Sequence, residues 1–177
     1  FFTILEKGKD KLVRLGEIAE VHGYIHDNNT GKKFPPVPFL KSLKDTLYIE
    51  VNQTTPGVII YGVKDEGKAR LKAPILFART FGDRLFVVLT PSGVFGKEFY
   101  KVIPKNRSYE KMLVALLNTH WSLLQLELYG VVNLGGGAIK FARSDIRLFL
   151  LPPSQMFHRE RRQAFLSAFD RLSRRPI

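Results

Sequence analysis

Between residues 46 and 104 the chain reads TLYIEV (46–51), GVIIYGV (57–63), APILFAR (73–79), RLFVVLT (84–90) and EFYKVIP (98–104). Short runs rich in β-branched and aromatic residues suit a pleated, half-buried surface, so each is read as a strand. Thr55-Pro56-Gly57, Asp65-Glu66-Gly67, Gly82-Asp83 and Ser92-Gly93 stand between them, and these residue types set or permit the backbone angles of turns. The spacing leaves no room for crossover helices. It therefore predicts a mainly antiparallel twisted sheet or a barrel-like unit.

Upstream, KLVRLGEIAEV (11–21) mixes apolar and charged residues as a strand entering a short helical turn would. GYIHDNNTGKKFPPVP (23–38) is dense in Gly, Asn, Asp and Pro and reads as a long loop. Downstream the period changes. From Ser108 to Tyr129, Leu113, Leu116, Leu117, Trp121, Leu124 and Leu128 fall on one helical face. One helix over about 108–129 is expected, with Asn106 or Ser108 as its cap, Glu110 in its first turn and Gly130 at its end. A Gly-rich turn, VNLGGGAIK (132–140), and SDIRLFLLPP (144–153) follow, closed by Pro152-Pro153. Beyond Ser154, a candidate cap, Met156, Phe157, Ala164, Phe165, Ala168, Phe169 and Leu172 recur at helical spacing. The expected class is α+β, with a unit over 1–153 and a C-terminal helix over 154–177 that acts as a spacer or docking segment.

The 177 residues carry 28 Lys+Arg against 16 Asp+Glu, a formal charge of +12, with 45% hydrophobic residues and no cysteine. That apolar content excludes wholesale disorder. The lack of cysteine excludes a disulfide framework and thiolate metal sites and points to a reducing, cytoplasmic setting. Met112 to Leu126, the longest stretch free of charge, is too short to cross a bilayer. FFTILEKGKDK, the opening, has neither a basic lead nor a long apolar run and is not read as a signal peptide. A start at Phe1 reads as a piece of something longer. Residues 81–177 hold 15 basic and 7 acidic residues, net +8, against +4 for residues 1–80. Such an excess points first to nucleic acid, then to an anionic membrane surface or to solubility alone.

Catalytic constellations are sparse. His22 and His26 are the one close histidine pair, and a polar loop containing Gly23 is a poor place to align them as metal ligands. His120 sits beside Trp121 in the helical stretch and suits a structural role. Carboxylates are scattered, and no serine lies in a G-x-S-x-G elbow. Gly135-Gly136-Gly137 matches neither phosphate-loop pattern. It reads as a tight connection, or as a loop that brings Asn133 and Lys140 to a DNA backbone.

Basic residues beside turns are the remaining signal. Lys32 and Lys33 share the 23–38 loop with Tyr24, His26, Asn28 and Asn29, and His22 stands just before it, a mixture that offers cations to phosphates and amide or imidazole groups to base edges. Arg79 and Arg84 flank the Phe81-Gly82-Asp83 turn, and Lys97 follows the 92–96 turn. Together they suggest a cationic rim, although charge at turns is common on any surface. Arg159, Arg161, Arg162, Arg171, Arg174 and Arg175 point in several helical directions and suit solvent as well as an anion.

LNTHWSLLQLELYGVVNLGGGAIKFARSDIRLFLLPP (117–153) resembles the end of the specificity region in adenine-N6 DNA methyltransferases of restriction–modification systems, the TaqI-like specificity domain. The order of helix, Gly-rich turn, acidic Asp145-Ile146 step and proline close carries the resemblance. PILFART (74–80), KLVRLGEIAEVHGY (11–24) and the final LPP-plus-helix arrangement are similar to the target-recognition domains of type I specificity subunits. The resemblance implies a module that recognises double-stranded DNA. Methyl transfer, with S-adenosylmethionine as cofactor, would belong to a catalytic domain of the same protein. The family's catalytic [NDS]-P-P-[YF] signature does not occur, since the double prolines read Phe34-Pro35-Pro36-Val37 and Leu151-Pro152-Pro153-Ser154. A catalytically silent unit is expected. The competing reading is an interaction scaffold whose 156–172 stripe docks a methylation or nuclease subunit.

Overall fold

A computed structural model of the chain describes residues 11–25, 30–64, 72–82, 84–132 and 138–177. The strands are β1 (Val13–Arg14), β2 (Ala19–His22), β3 (Pro36–Leu40), β4 (Ile59–Gly62), β5 (Ile75–Ala78), β6 (Thr80–Phe81), β7 (Val88–Leu89), β8 (Phe95–Gly96), β9 (Phe99–Pro104), β10 (Val131–Val132), β11 (Ile139–Lys140) and β12 (Leu150–Leu151). The α-helices are α1 (Leu15–Ile18), α2 (Glu110–Leu117), α3 (His120–Tyr129), α4 (Arg143–Arg147) and α5 (Arg159–Ser173). The class is α+β, as the sequence suggests. The strands form small sheets, and none of them closes into a barrel.

At the centre is an antiparallel sheet in the order β2-β9-β5-β7. Its register aligns Val21 with Val102, Val102 with Ile75 and Ile75 with Leu89, and all four are buried. Every residue of β5 is buried, so both faces of the sheet are covered. Phe77 meets Phe81, Phe141 and Phe149 edge to face at 5.5–6.2 Å, an arrangement that the ring quadrupoles favour. β1 pairs with β12, and β6 pairs with β11, which pairs with β10. The 117–153 segment is thereby stitched to the beginning and the middle of the chain.

A second sheet, β4-β3-β8, has its own buried cluster of Ile25, Val37, Phe39, Val63 and Phe95. β3 replaces the last residues of the expected 23–38 loop, despite its two prolines. Val63 N–H donates to Pro35 O at 3.1 Å, so in the antiparallel ladder Pro36 and Pro38 fall where an N–H would point away from β4. β3 runs parallel to β8, the one departure from antiparallel pairing among the described strands.

The expected single helix over 108–129 is two helices. Asn118 ends α2: its amide accepts from Val87 N and donates to Val87 O and to Val114 O, each at 2.9 Å. Thr119 is extended, and α3 starts at His120. Leu124 and Leu128, placed on the buried face by the period, are 36% and 52% exposed. The same clamp shortens the run at 84–90 to β7, because Val87 spends its backbone groups on Asn118. Asn106 does cap this region, accepting from Ser108 N at 3.0 Å, and Gly130 does end it.

TLYIEV (46–51) is not a strand. Val51 N–H donates to Leu89 O, Glu50 N–H to Ser173 O, and Leu89 N–H to Ile49 O, so its groups are divided between β7 and the chain end and only one bridge forms. Gly57 takes φ +92°, and a Cβ there would lie 1.6 Å from Asp45 O; the turn read at 55–57 needs glycine for both reasons. Ser154 opens a 3-10 turn, and the residue that precedes α5 is His158. α5 packs on α2, with Phe169 buried and Lys111 paired to Asp170.

Candidate nucleic-acid interface

The central sheet delivers three segments to one end. β2 runs out at His22 into Tyr24, β5 runs out at Ala78 into Arg79, and β9 enters from Lys97 and Glu98. Hydrogen bonds fix this end: Arg79 N–H donates to Glu98 O at 2.9 Å, Ile25 N–H to Lys97 O at 3.2 Å, and Phe141 N–H to Arg79 O at 3.0 Å. The last of these bonds brings Lys140 and α4 alongside, and Lys140 lies opposite Thr80 in the β6–β11 ladder.

Tyr24 and Arg79 form the centre of this end. The Arg79 guanidinium lies over the Tyr24 ring at 4.5 Å from its centroid, within cation–π range. Tyr24 meets Tyr100 edge to face at 6.0 Å, and Tyr100 Oη–H donates to Phe141 O at 2.9 Å. Burial pushes the Tyr100 hydroxyl above the usual tyrosine range, while the nearby Arg79 pulls the other way. Tyr100 therefore stays a neutral donor.

Two cations here escaped the sequence reading. Arg143 and Arg147 are exposed at the two ends of α4. Arg147 Nη2 donates to Val21 O at 3.4 Å, which docks α4 on β2, and Arg143 is close enough to Tyr100 to lower its pKa. Their spacing of four residues in Arg143-Ser-Asp-Ile-Arg147 was the available signal, since residues four apart share a helix face. Of the carboxylates nearby, Asp145 accepts from Ala142 N at 2.8 Å and from Ser144 Oγ at 3.1 Å. Glu20 is 3.0 Å from His22 Nε2.

The structure thus gathers His22, Tyr24, Arg79, Lys97 and Lys140 of the expected contact residues. Lys32 and Lys33 are exposed at the turn before β3, with Lys33 Nζ 5.1 Å from the Phe34 ring centroid, on the second sheet. Arg84 is half-buried: its Nη1 donates to Thr46 O at 2.9 Å and lies 3.5 Å from Lys44 O. His26, Asn28, Asn29, Asn133 and the Gly135–Gly137 run lie outside the described residues. A cleft of about 600 Å³ opens beside this end, lined by Ser42, Leu43, Lys44, Ala78, Thr80, Gly82, Arg84, Glu98 and Ala138. Among the described residues no group of histidines and carboxylates is arranged to hold a metal ion, and no helix is long and apolar enough to cross a membrane.

No protein-family model matches the chain, and no curated protein does either. Solved structures do. The type IIG restriction endonuclease BpuSI superposes with a TM-score of 0.74 at 11% identity, over 94% of this chain and 27% of that one. The HsdS subunit from Thermoanaerobacter tengcongensis gives 0.56 at 12% identity, over 91% of this chain and 36% of that one. The S subunit of a type I restriction–modification system from M. genitalium gives 0.54 at 12% identity, over 90% and 38%. At these identities the likeness is one of fold. The chain spans between about a quarter and two fifths of the length of each of these structures.

Proposed function

We propose that this chain is the DNA target-recognition module of a restriction–modification protein. The observation that carries the reading is the convergence of Arg79, Lys97, Lys140, Arg143 and Arg147 around Tyr24 at one end of the central sheet. Cations at such a rim neutralise phosphates and supply affinity, and side chains set among them read bases. In this reading Lys32 and Lys33 also meet the duplex, and His26, Asn28, Asn29 and Asn133, which lie outside the described residues, are expected to contact it too. The fold it shares with parts of a restriction endonuclease and of two specificity subunits supports the assignment.

The finer reading rests on the motif order over 117–153. It makes the parent protein an adenine-N6 methyltransferase, with or without a fused nuclease. S-adenosylmethionine binding and chemistry on the adenine would lie on another domain, and the module itself would be non-catalytic. Chemistry on a base within a duplex requires that base to leave the stack, so recognition and catalysis would act on one bent or opened site.

The competing scaffold reading asks α5 to offer its apolar stripe to a partner. Phe157, Phe165 and Phe169 of that stripe pack on this chain's own core, leaving Met156 and Leu172 exposed, which favours the DNA reading. Fluorescence anisotropy with a labelled random duplex tests it directly. The chain should bind at low salt, and Lys140→Ala/Arg143→Ala/Arg147→Ala should weaken binding at least tenfold, with a thermal melt checking that loss of the Arg147 bond to Val21 O leaves the variant folded. Equal binding by chain and variant would show that this rim does not meet DNA.

A further inference from the structure

Arg79 differs from the cations around it. Lys140, Arg143 and Arg147 are exposed side chains at the rim. Arg79 is half-buried, with its backbone tied on both sides, through Glu98 O and Phe141 N. Its guanidinium lies over Tyr24, and Tyr24 is in turn braced by Tyr100, whose hydroxyl is anchored on Phe141 O. Among the described residues no carboxylate pairs with the Arg79 side chain.

These features select between the two things an arginine can do on DNA. A phosphate is met well by a mobile point charge that follows the backbone. Reading a base edge requires a planar fork in a fixed place, and a stacked guanidinium loses less freedom when it makes its bonds. We propose that Arg79, held over Tyr24, is the residue that reads a guanine through its O6 and N7 atoms, while Lys140, Arg143 and Arg147 contact phosphates. The guanidinium fork matches those two acceptors in the major groove, and lysine does not reproduce the fork. Tyr24 then serves as a positioning residue. Tyr24→Phe keeps the aromatic face, and Tyr24→Leu removes it.

This inference rests on the DNA-recognition reading, and one experiment separates their failures. Selection of bound sites from a random duplex library is run for the wild type, Arg79→Lys, Tyr24→Phe, Tyr24→Leu and Arg143→Gln, with thermal melts confirming that each variant folds. The wild type should select a site containing a guanine. Arg79→Lys and Tyr24→Leu should lose the preference at that position by about 10- to 100-fold, Tyr24→Phe should keep it, and Arg143→Gln should weaken all sites equally. A selected site whose guanine preference survives Arg79→Lys, or a site with no guanine, overturns the assignment of Arg79 and leaves the recognition reading standing. Absence of any selected or bound duplex overturns both.

Discussion

The buried lysine of β9 sets the chain's response to alkali. Lys101 is only 2% exposed in the middle of the central sheet, and burial lowers its pKa from 10.5 to about 8. The folded state therefore releases this proton first, and between pH 8 and 10.5 the unfolded chain holds more protons. Stability rises with pH across that window, by roughly 2 to 3 kcal/mol at pH 10. Tyr109 acts in the opposite sense at higher pH. Burial raises its hydroxyl to about 12, so the unfolded chain ionises first above pH 10 and stability falls. Urea unfolding from pH 7 to 10 should show the rise, and Lys101→Met should abolish it. A flat wild-type profile would mean that the ammonium is solvated. The sequence displays Lys101 within an apolar run but not its burial, which arises because β2 and β5 flank β9 on either side.

Helices and strands were legible where local pattern and tertiary bonding agree. The turn into α1, the strands over 59–62, 75–78 and 99–104, the cap at Asn106 and the stop at Gly130 all follow from residue types acting on their own neighbourhood. The misreadings share one cause. Asn118 breaks the 108–129 helix through bonds to Val87, 31 residues away, and the chain end diverts Glu50 from a ladder. Neither bond leaves a mark in the period of apolar residues. The C-terminal helix is the element whose role matters most to the competing readings. Phe169 is 5% exposed and belongs to the main core, so Phe169→Ala should lower stability by about 3 kcal/mol in urea unfolding, near the usual cost of emptying a buried phenylalanine site. An unchanged midpoint would imply that α5 detaches and leaves its apolar stripe for a partner.

At the scale of the whole molecule, the charge of +12 points to an anionic partner, nucleic acid in the proposed reading, but carries no geometry. The sequence singles out Tyr24, Arg79, Lys97 and Lys140 because each stands in or beside a turn. It could not show that these turns meet at one end of one sheet, since that depends on pairings such as Thr80 with Lys140 across the fold. It passed over Arg143 and Arg147 because their five-residue helix is too short to show a period. Nor does it show that the Arg84 guanidinium is tied to the Thr46 carbonyl, 38 residues away. The central claim is that the rim cations, together with Lys32 and Lys33 at the turn before β3, bind duplex phosphates, and the dependence of affinity on salt measures this directly. If Lys32, Lys33, Lys97, Lys140, Arg143 and Arg147 neutralise roughly six phosphates, log K against log salt should fall with a slope of about −5. Removing Lys140, Arg143 and Arg147 together should flatten the slope to between about −2 and −3. A slope near zero for the intact chain, or the same slope with those three cations gone, would contradict the account.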